Sequence, residues 1–113
     1  MKYLAAMGLM ALSFYTSANT YVQGVPTTIT SVDSYNYGSV EGHIRILVSD
    51  TVTGCEAGYF VQDSNTGIDR ALSIALSAFH GGAKVVIGGR SGVNWSGSSN
   101  PNYCQVHAIT LVK

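Results

Sequence analysis

The sequence predicts a small all-β domain that carries one helix. Three observations lead there. Five short runs are rich in β-branched and aromatic residues, and one segment switches to the apolar period of a helix. The only two cysteines stand at the starts of two of the runs.

The elements follow in order. "TTITSV" (27 to 32) reads as the first strand, with Gly24 and Pro26 predicting a bulge or a sheet edge where the chain enters it. "DSYNYGSVEG" (33 to 42) is turn-like. "HIRILVS" (43 to 49) alternates, with Ile44, Ile46 and Val48 on one face and His43 and Arg45 on the other, as in a half-buried strand. "CEAGYFVQ" (55 to 62) is the third strand, with Tyr59 and Val61 opposite Phe60. The period then changes. In "TGIDRALSIALSAFHGG" (66 to 82), Ile68, Leu72, Ala75, Leu76 and Phe79 share one helical face. Thr66 with Asp69 predicts the cap, and Gly81 or Gly82 the left-handed end. "AKVVIGG" (83 to 89) is the fourth strand. "YCQVHAITLV" (103 to 112) is the fifth, apolar on both parities, which predicts a strand covered on both sides or broken by a bulge.

Three strands, a helix and two strands are the order of an OB-fold, a five-stranded Greek-key barrel. In that barrel the third and fifth strands are parallel neighbours, so their N-terminal ends meet. Cys55 opens the third strand and Cys104 the fifth, so a disulfide between them fits the geometry. A small open α+β sheet with the helix on one face uses the same elements and accepts the same bridge.

The N-terminus reads as a signal peptide. Lys2 precedes the apolar run "LAAMGLMALSF" (4 to 14), too short to span a bilayer comfortably, and "TSA" (16 to 18) supplies the small residues of a cleavage site. Residues 1–18 are expected to be removed, leaving residues 19–113 as one domain, secreted or periplasmic and without a membrane span. In an exported chain of this size a disulfide is the default for two cysteines. Six basic residues balance six acidic ones, which argues against nucleic-acid binding, since that draws on phosphate neutralisation. His43, His80 and His107 have no metal-ligand spacing with the cysteines, so no metal or other cofactor is expected.

The second half resembles the B subunits of the subtilase-cytotoxin and pertussis-like toxin group. The resemblance lies in "ALSIALSAFHGGAKVVIGGRSGVNW" followed by "VHAIT": a helix ending in a glycine turn, a short V-x-I strand, a loop with a Trp, and a last strand. It implies a secreted bacterial OB-fold protein that assembles as a homo-oligomeric ring of five and binds glycans. Only Trp95 matches by position, as a loop aromatic.

Two loops hold the candidate ligand residues. "GRSGVNWSGSSNPNY" contributes Arg90, Asn94, Trp95, Asn100 and Tyr103, and "DSYNYGSV" contributes Tyr35 and Tyr37. In an OB-fold these loops flank the usual ligand face. An aromatic ring covers the apolar C–H face of a sugar while amides and Arg bond its hydroxyl rim. Trp95 is the expected stacking platform, with Asn94, Arg90 and Asn100 as donors. No nucleophile elbow and no acid–base pair of carboxylates occurs, so no enzyme is expected. The sequence therefore predicts an exported module that binds a glycan or similar polar ligand. The alternative is a periplasmic or cell-surface structural or interaction protein in which the loops only close the barrel.

Overall fold

The two halves of the chain meet at one parallel strand pair. The computed structural model describes residues 19–113; the expected signal peptide lies outside them. Six strands, β1 (Thr20–Gln23), β2 (Ile29–Ser34), β3 (Ile44–Val48), β4 (Gly58–Val61), β5 (Lys84–Ser91) and β6 (Tyr103–Val112), accompany one α-helix, α1 (Ile68–Gly81). They form a single open mixed sheet in the order β1-β5-β6-β4-β3-β2. All neighbours are antiparallel except β4 and β6, where Tyr59 lies opposite Cys104.

All five expected strands form, and the count of five is corrected to six by β1. Its four residues carry too little alternation to declare a strand, and its one neighbour is β5. After Gln23 pairs with Gly88, Thr27 exchanges two backbone hydrogen bonds with Val85, at 2.9 and 2.8 Å. Residues 24–26 thus stand against two residues of β5, which makes the bulge that Gly24 and Pro26 forecast. A Cβ at Gly24 would sit 2.3 Å from the Ile87 carbonyl oxygen, so only glycine permits this approach. The chain then leaves β5 and pairs with β3 as β2. The bulge allowed for in the last strand also forms, where the β5–β6 register shifts between Gly88 and Gly89 and His107 is the extra residue.

The inner face of the sheet carries Ile44, Ile46, Tyr59, Val61, Val85, Ile87, Cys104 and Val106, and α1 closes it with the buried Ala75 and Ala78. The helix is turned from its expected setting. Ala78 takes the place assigned to Phe79, while Leu76 and Phe79 stay 38 and 44 % exposed. Two alanines let the helix approach the sheet closely, which pushes the larger side chains to the rim. The expected Thr66 cap does not form. Gly67 is the N-cap and has no side-chain bond, and Asn65 Oδ1 instead accepts the Gly67 N–H at 2.8 Å. Gly82 ends the helix at φ 68° with its N–H on the Ala78 carbonyl.

The Cys55–Cys104 disulfide forms as expected, with Cα atoms 5.3 Å apart. It joins the residue three before β4 to the second residue of β6, across the parallel seam. It closes 49 residues of chain, so replacing both cysteines with alanine is expected to cost about 4 kcal/mol, read as a lower denaturation midpoint in urea. Burial of Tyr59 in the same seam raises its phenol above the usual 10.0. The unfolded chain therefore ionises this phenol first, and stability should fall as pH rises above about 10. Tyr59→Phe is expected to flatten that alkaline limb, with urea unfolding at stepped pH as the measurement.

Candidate functional site

Period-two alternation sends every second side chain of the sheet outward. One row crosses all six strands in register: Tyr21, Arg90, Gln105, Phe60, Arg45 and Asp33. Its centre is apolar, since Leu47, Phe60 and Tyr103 sit on this outer face. The segment 92–102, between β5 and β6, folds back across them and brings Trp95 down onto Phe60.

Trp95 is 4 % exposed. Its ring stacks on Phe60, with centroids 5.3 Å apart and planes 9° from parallel. Tyr103 and Tyr35 meet its edges at 5.0 and 5.5 Å. Val40, Leu47, Ala57 and Val93 complete this second, smaller core. Two glycines make the fit possible. A Cβ at Gly97 would stand 2.4 Å from Trp95 Cζ2, and one at Gly58, which has φ +131°, would stand 2.6 Å from Leu47 Cδ2.

One polar group is buried with the cluster. The Trp95 indole N–H donates to His43 Nδ1 at 3.0 Å, and His43 Nε2 faces Asp63 Oδ1 at 3.3 Å. His43 is itself 5 % exposed, and its backbone is fixed by bonds to Val40 and Tyr35. An indole N–H only donates, so Nδ1 is the acceptor in this bond, which assigns the ring N–H to Nε2, directed at Asp63. Beside the cluster, Arg45 Nε and a terminal guanidinium nitrogen both reach Asp33 Oδ2 at 2.6 Å, and the other terminal nitrogen reaches the Tyr103 hydroxyl at 3.2 Å. Partial burial works against the Arg45 charge. The bonds to Tyr103 and Asp33 more than offset it, and the guanidinium holds its proton above its ordinary value. This cation is taken up inside the protein by Asp33.

The structure brings three of the expected site residues together: Tyr35, Trp95 and Tyr103. The two loops do converge, and Tyr35 against Trp95 is their contact. Tyr37 stands 89 % exposed in the first loop, and Asn94 and Asn100 are exposed in the second. The Asn100 side chain accepts the Asn102 N–H at 2.9 Å and so shapes its own loop. Arg90 lies on β5, away from the loop tip, with its guanidinium on Asn19 Oδ1 at 3.2 Å. Trp95 corrects the expectation of an open stacking platform, because its ring is 4 % exposed, stacked on Phe60 and packed against Gly97. Sequence reasoning missed His43 and Phe60. They stand 52 and 35 positions from Trp95, and no spacing signals either contact.

A groove of about 250 Å³ lies elsewhere, between α1 and β6, with Val61, Ile74, Val106 and Ile109 as walls and Arg70 and His107 at its rim. No protein-family model, curated protein or solved structure matches the chain.

Removing the Trp95 ring empties a closed site. Trp95→Ala is expected to cost roughly 3–5 kcal/mol, as large-to-small core changes do, and to lower the thermal unfolding temperature accordingly. Trp95→Phe keeps the stack and loses the bond to His43, so a smaller loss of about 1–2 kcal/mol is expected.

Proposed function

We propose that the protein is an exported binding module that holds a glycan, or a ligand of similar polarity, on the outer face of the sheet at the rim of the Trp95 cluster. The observation that carries this reading is the convergence of two aromatic, amide-rich loops from opposite halves of the chain, joined at Tyr35 and Trp95. The buried rings form the base of that rim. Tyr37, Asn94 and Asn100 remain outside it as an aromatic face and amide groups. Arg90, in the same outer row with only the Asn19 amide as its bonded partner among the described residues, adds a donor for a hydroxyl or a carboxylate, and the resemblance to toxin B subunits points to glycans as the ligand class.

Two companion proposals follow the same resemblance. The open sheet follows the path of an OB-type barrel, a reading supported by the segment from Thr20 to Ser34, whose first half pairs with β5 and whose second half pairs with β3. The chain also associates with copies of itself, which the exposed Leu76 and Phe79 of α1 support. Sedimentation of the oxidised protein tests association, and a clean monomer at micromolar concentration would remove it. The second functional reading, a structural protein with no small ligand, draws on the burial of Trp95, since a packed loop serves that role equally well.

A glycan array probed with the labelled protein separates the readings, because an array with no signal leaves only the structural one. For the sugar that binds best, Tyr37→Ala is expected to weaken affinity roughly tenfold, about 1.4 kcal/mol. The unfolding temperature should not change, because Tyr37 contributes no core contact. Unchanged affinity would take Tyr37 out of the site.

A further inference from the structure

Among the described residues, the single hydrogen bond that 92–101 makes outside its own loop is the one from the Trp95 indole to His43. The rest of what holds this segment down is apolar packing, by the Trp95 ring and by Val93 beside it, and the next tie along the chain is the Asn102 carbonyl, which accepts the Ala57 N–H at 3.1 Å. The acceptor is an imidazole, and its acceptance depends on protonation. We propose that His43 is an acid-sensitive latch: protonating it releases Trp95 and the 92–101 segment, which stays anchored at Asn102, and opens the Phe60 and Tyr103 rings to ligand. This rests on the reading of the outer face as a ligand surface and adds its regulation.

The chemistry is fixed by the donors. A second proton on the His43 ring lands on Nδ1, opposite an N–H that cannot accept. Turning the ring over gives no relief, because both nitrogens of an imidazolium donate. The bond is therefore present in the neutral form and lost as pH falls through the titration of the imidazole.

The surrounding groups favour release of the loop over loss of the fold. Asp63, exposed on the segment after β4, accepts from Nε2 in both states and pairs with the imidazolium. Arg45, two positions along β3, has its charge taken up by Asp33. Glu41, two positions before His43, is exposed, and the phenols of Tyr35 and Tyr103 border Trp95 without reaching His43 through a hydrogen bond. The His43 backbone is bonded on both sides, to Val40 and to Tyr35. The 92–101 segment, with no other hydrogen bond outside its own loop among the described residues, is the part free to move, and its departure lets water reach a charged ring that is otherwise buried.

The sequence holds one Trp, so its fluorescence reports this residue alone. Acrylamide quenching of the oxidised, full-length protein is measured from about pH 8 to 5, the window in which imidazoles titrate, with far-UV circular dichroism as the check on the fold. The expected result is a severalfold rise in the quenching constant with the dichroism unchanged. His43→Gln retains an acceptor and cannot titrate, so its quenching should stay low at every pH. Asp63→Asn removes the charge that supports the imidazolium and should move the midpoint to lower pH. Flat quenching in the native protein would overturn the latch, as would an unchanged acid transition in His43→Gln. Should that variant fail to fold, the indole N–H resonance of the native protein decides, since it must shift with the His43 ring signals. Array binding at both ends of the pH range separates the two ideas. Acid release with no binding at either pH keeps the latch and removes the glycan reading, while equal binding at both with quiet fluorescence does the reverse.

Discussion

The parallel seam between β4 and β6 is the constraint on which the other contacts depend. Parallel strands cannot be joined by a hairpin. The seam closes over the whole stretch from α1 to the Trp95 loop, and only Gly58 to Phe60 pair there with Tyr103 to Gln105. Three pairs are a weak ladder for such a long closure. The disulfide stands at its N-terminal end, where Cα atoms 5.3 Å apart make the register covalent. A slip of one residue would exchange Tyr59 for Phe60 between the two faces. Tyr59 belongs to the inner core and Phe60 is the base of the Trp95 stack, so one register serves both cores.

An antiparallel-rich sheet usually covers one face and leaves the other to water. Here the outer face carries Leu47, Phe60 and Tyr103 in one patch, and left bare it would be an adhesive surface. The 92–102 loop covers it with one large ring. Gly58 and Gly97 are the counterparts of that choice, since a methyl group at either would collide with the cluster. The polar ends of the patch are satisfied inside it: the indole by His43, the Tyr103 hydroxyl by Arg45, and Arg45 by Asp33. The second core is thus built as the first one is, with apolar contact and complete hydrogen bonding, although it lies under a loop.

Most of the strand content was legible because alternation is a local property. Ile44, Ile46 and Val48 declare their face without knowledge of any partner, and Tyr59 and Val61 oppose Phe60 as the pattern requires. The seam was legible for a different reason, since two cysteines in such a chain have one pairing. β1 was hidden by its length. The helix setting was misread because periodicity does not distinguish Ala78 from Phe79 as the residue under the sheet; that depends on how closely helix and sheet approach. The site was half legible. Loop composition marks Tyr35 and Trp95 as neighbours once the barrel order is assumed, but composition is silent on whether a ring faces water, as Tyr37 does, or Phe60. The His43 contact is long-range and chemically specific, and no residue near either partner announces it.

The contrast between the two fastenings sets how the outer face can work. The seam is held by a covalent bond, and thermal motion does not open it. The 92–101 segment is held chiefly by Trp95, through a stack, two edge contacts and one hydrogen bond, with Val93 packed beside it, and none of these is individually strong. On the proposed reading, a ligand arriving at the rim meets Tyr37, Asn94 and Asn100 with the cover closed. A ligand that is to reach Phe60 must replace Trp95 there, and a sugar face is a poor substitute for an indole already stacked at 9°. Displacement therefore requires that the cover be weakened first, and the only part of its hold that solution chemistry can alter is the bond to an imidazole. Ring packing does not respond to a proton, so the polar contact is the one control point in an otherwise apolar closure.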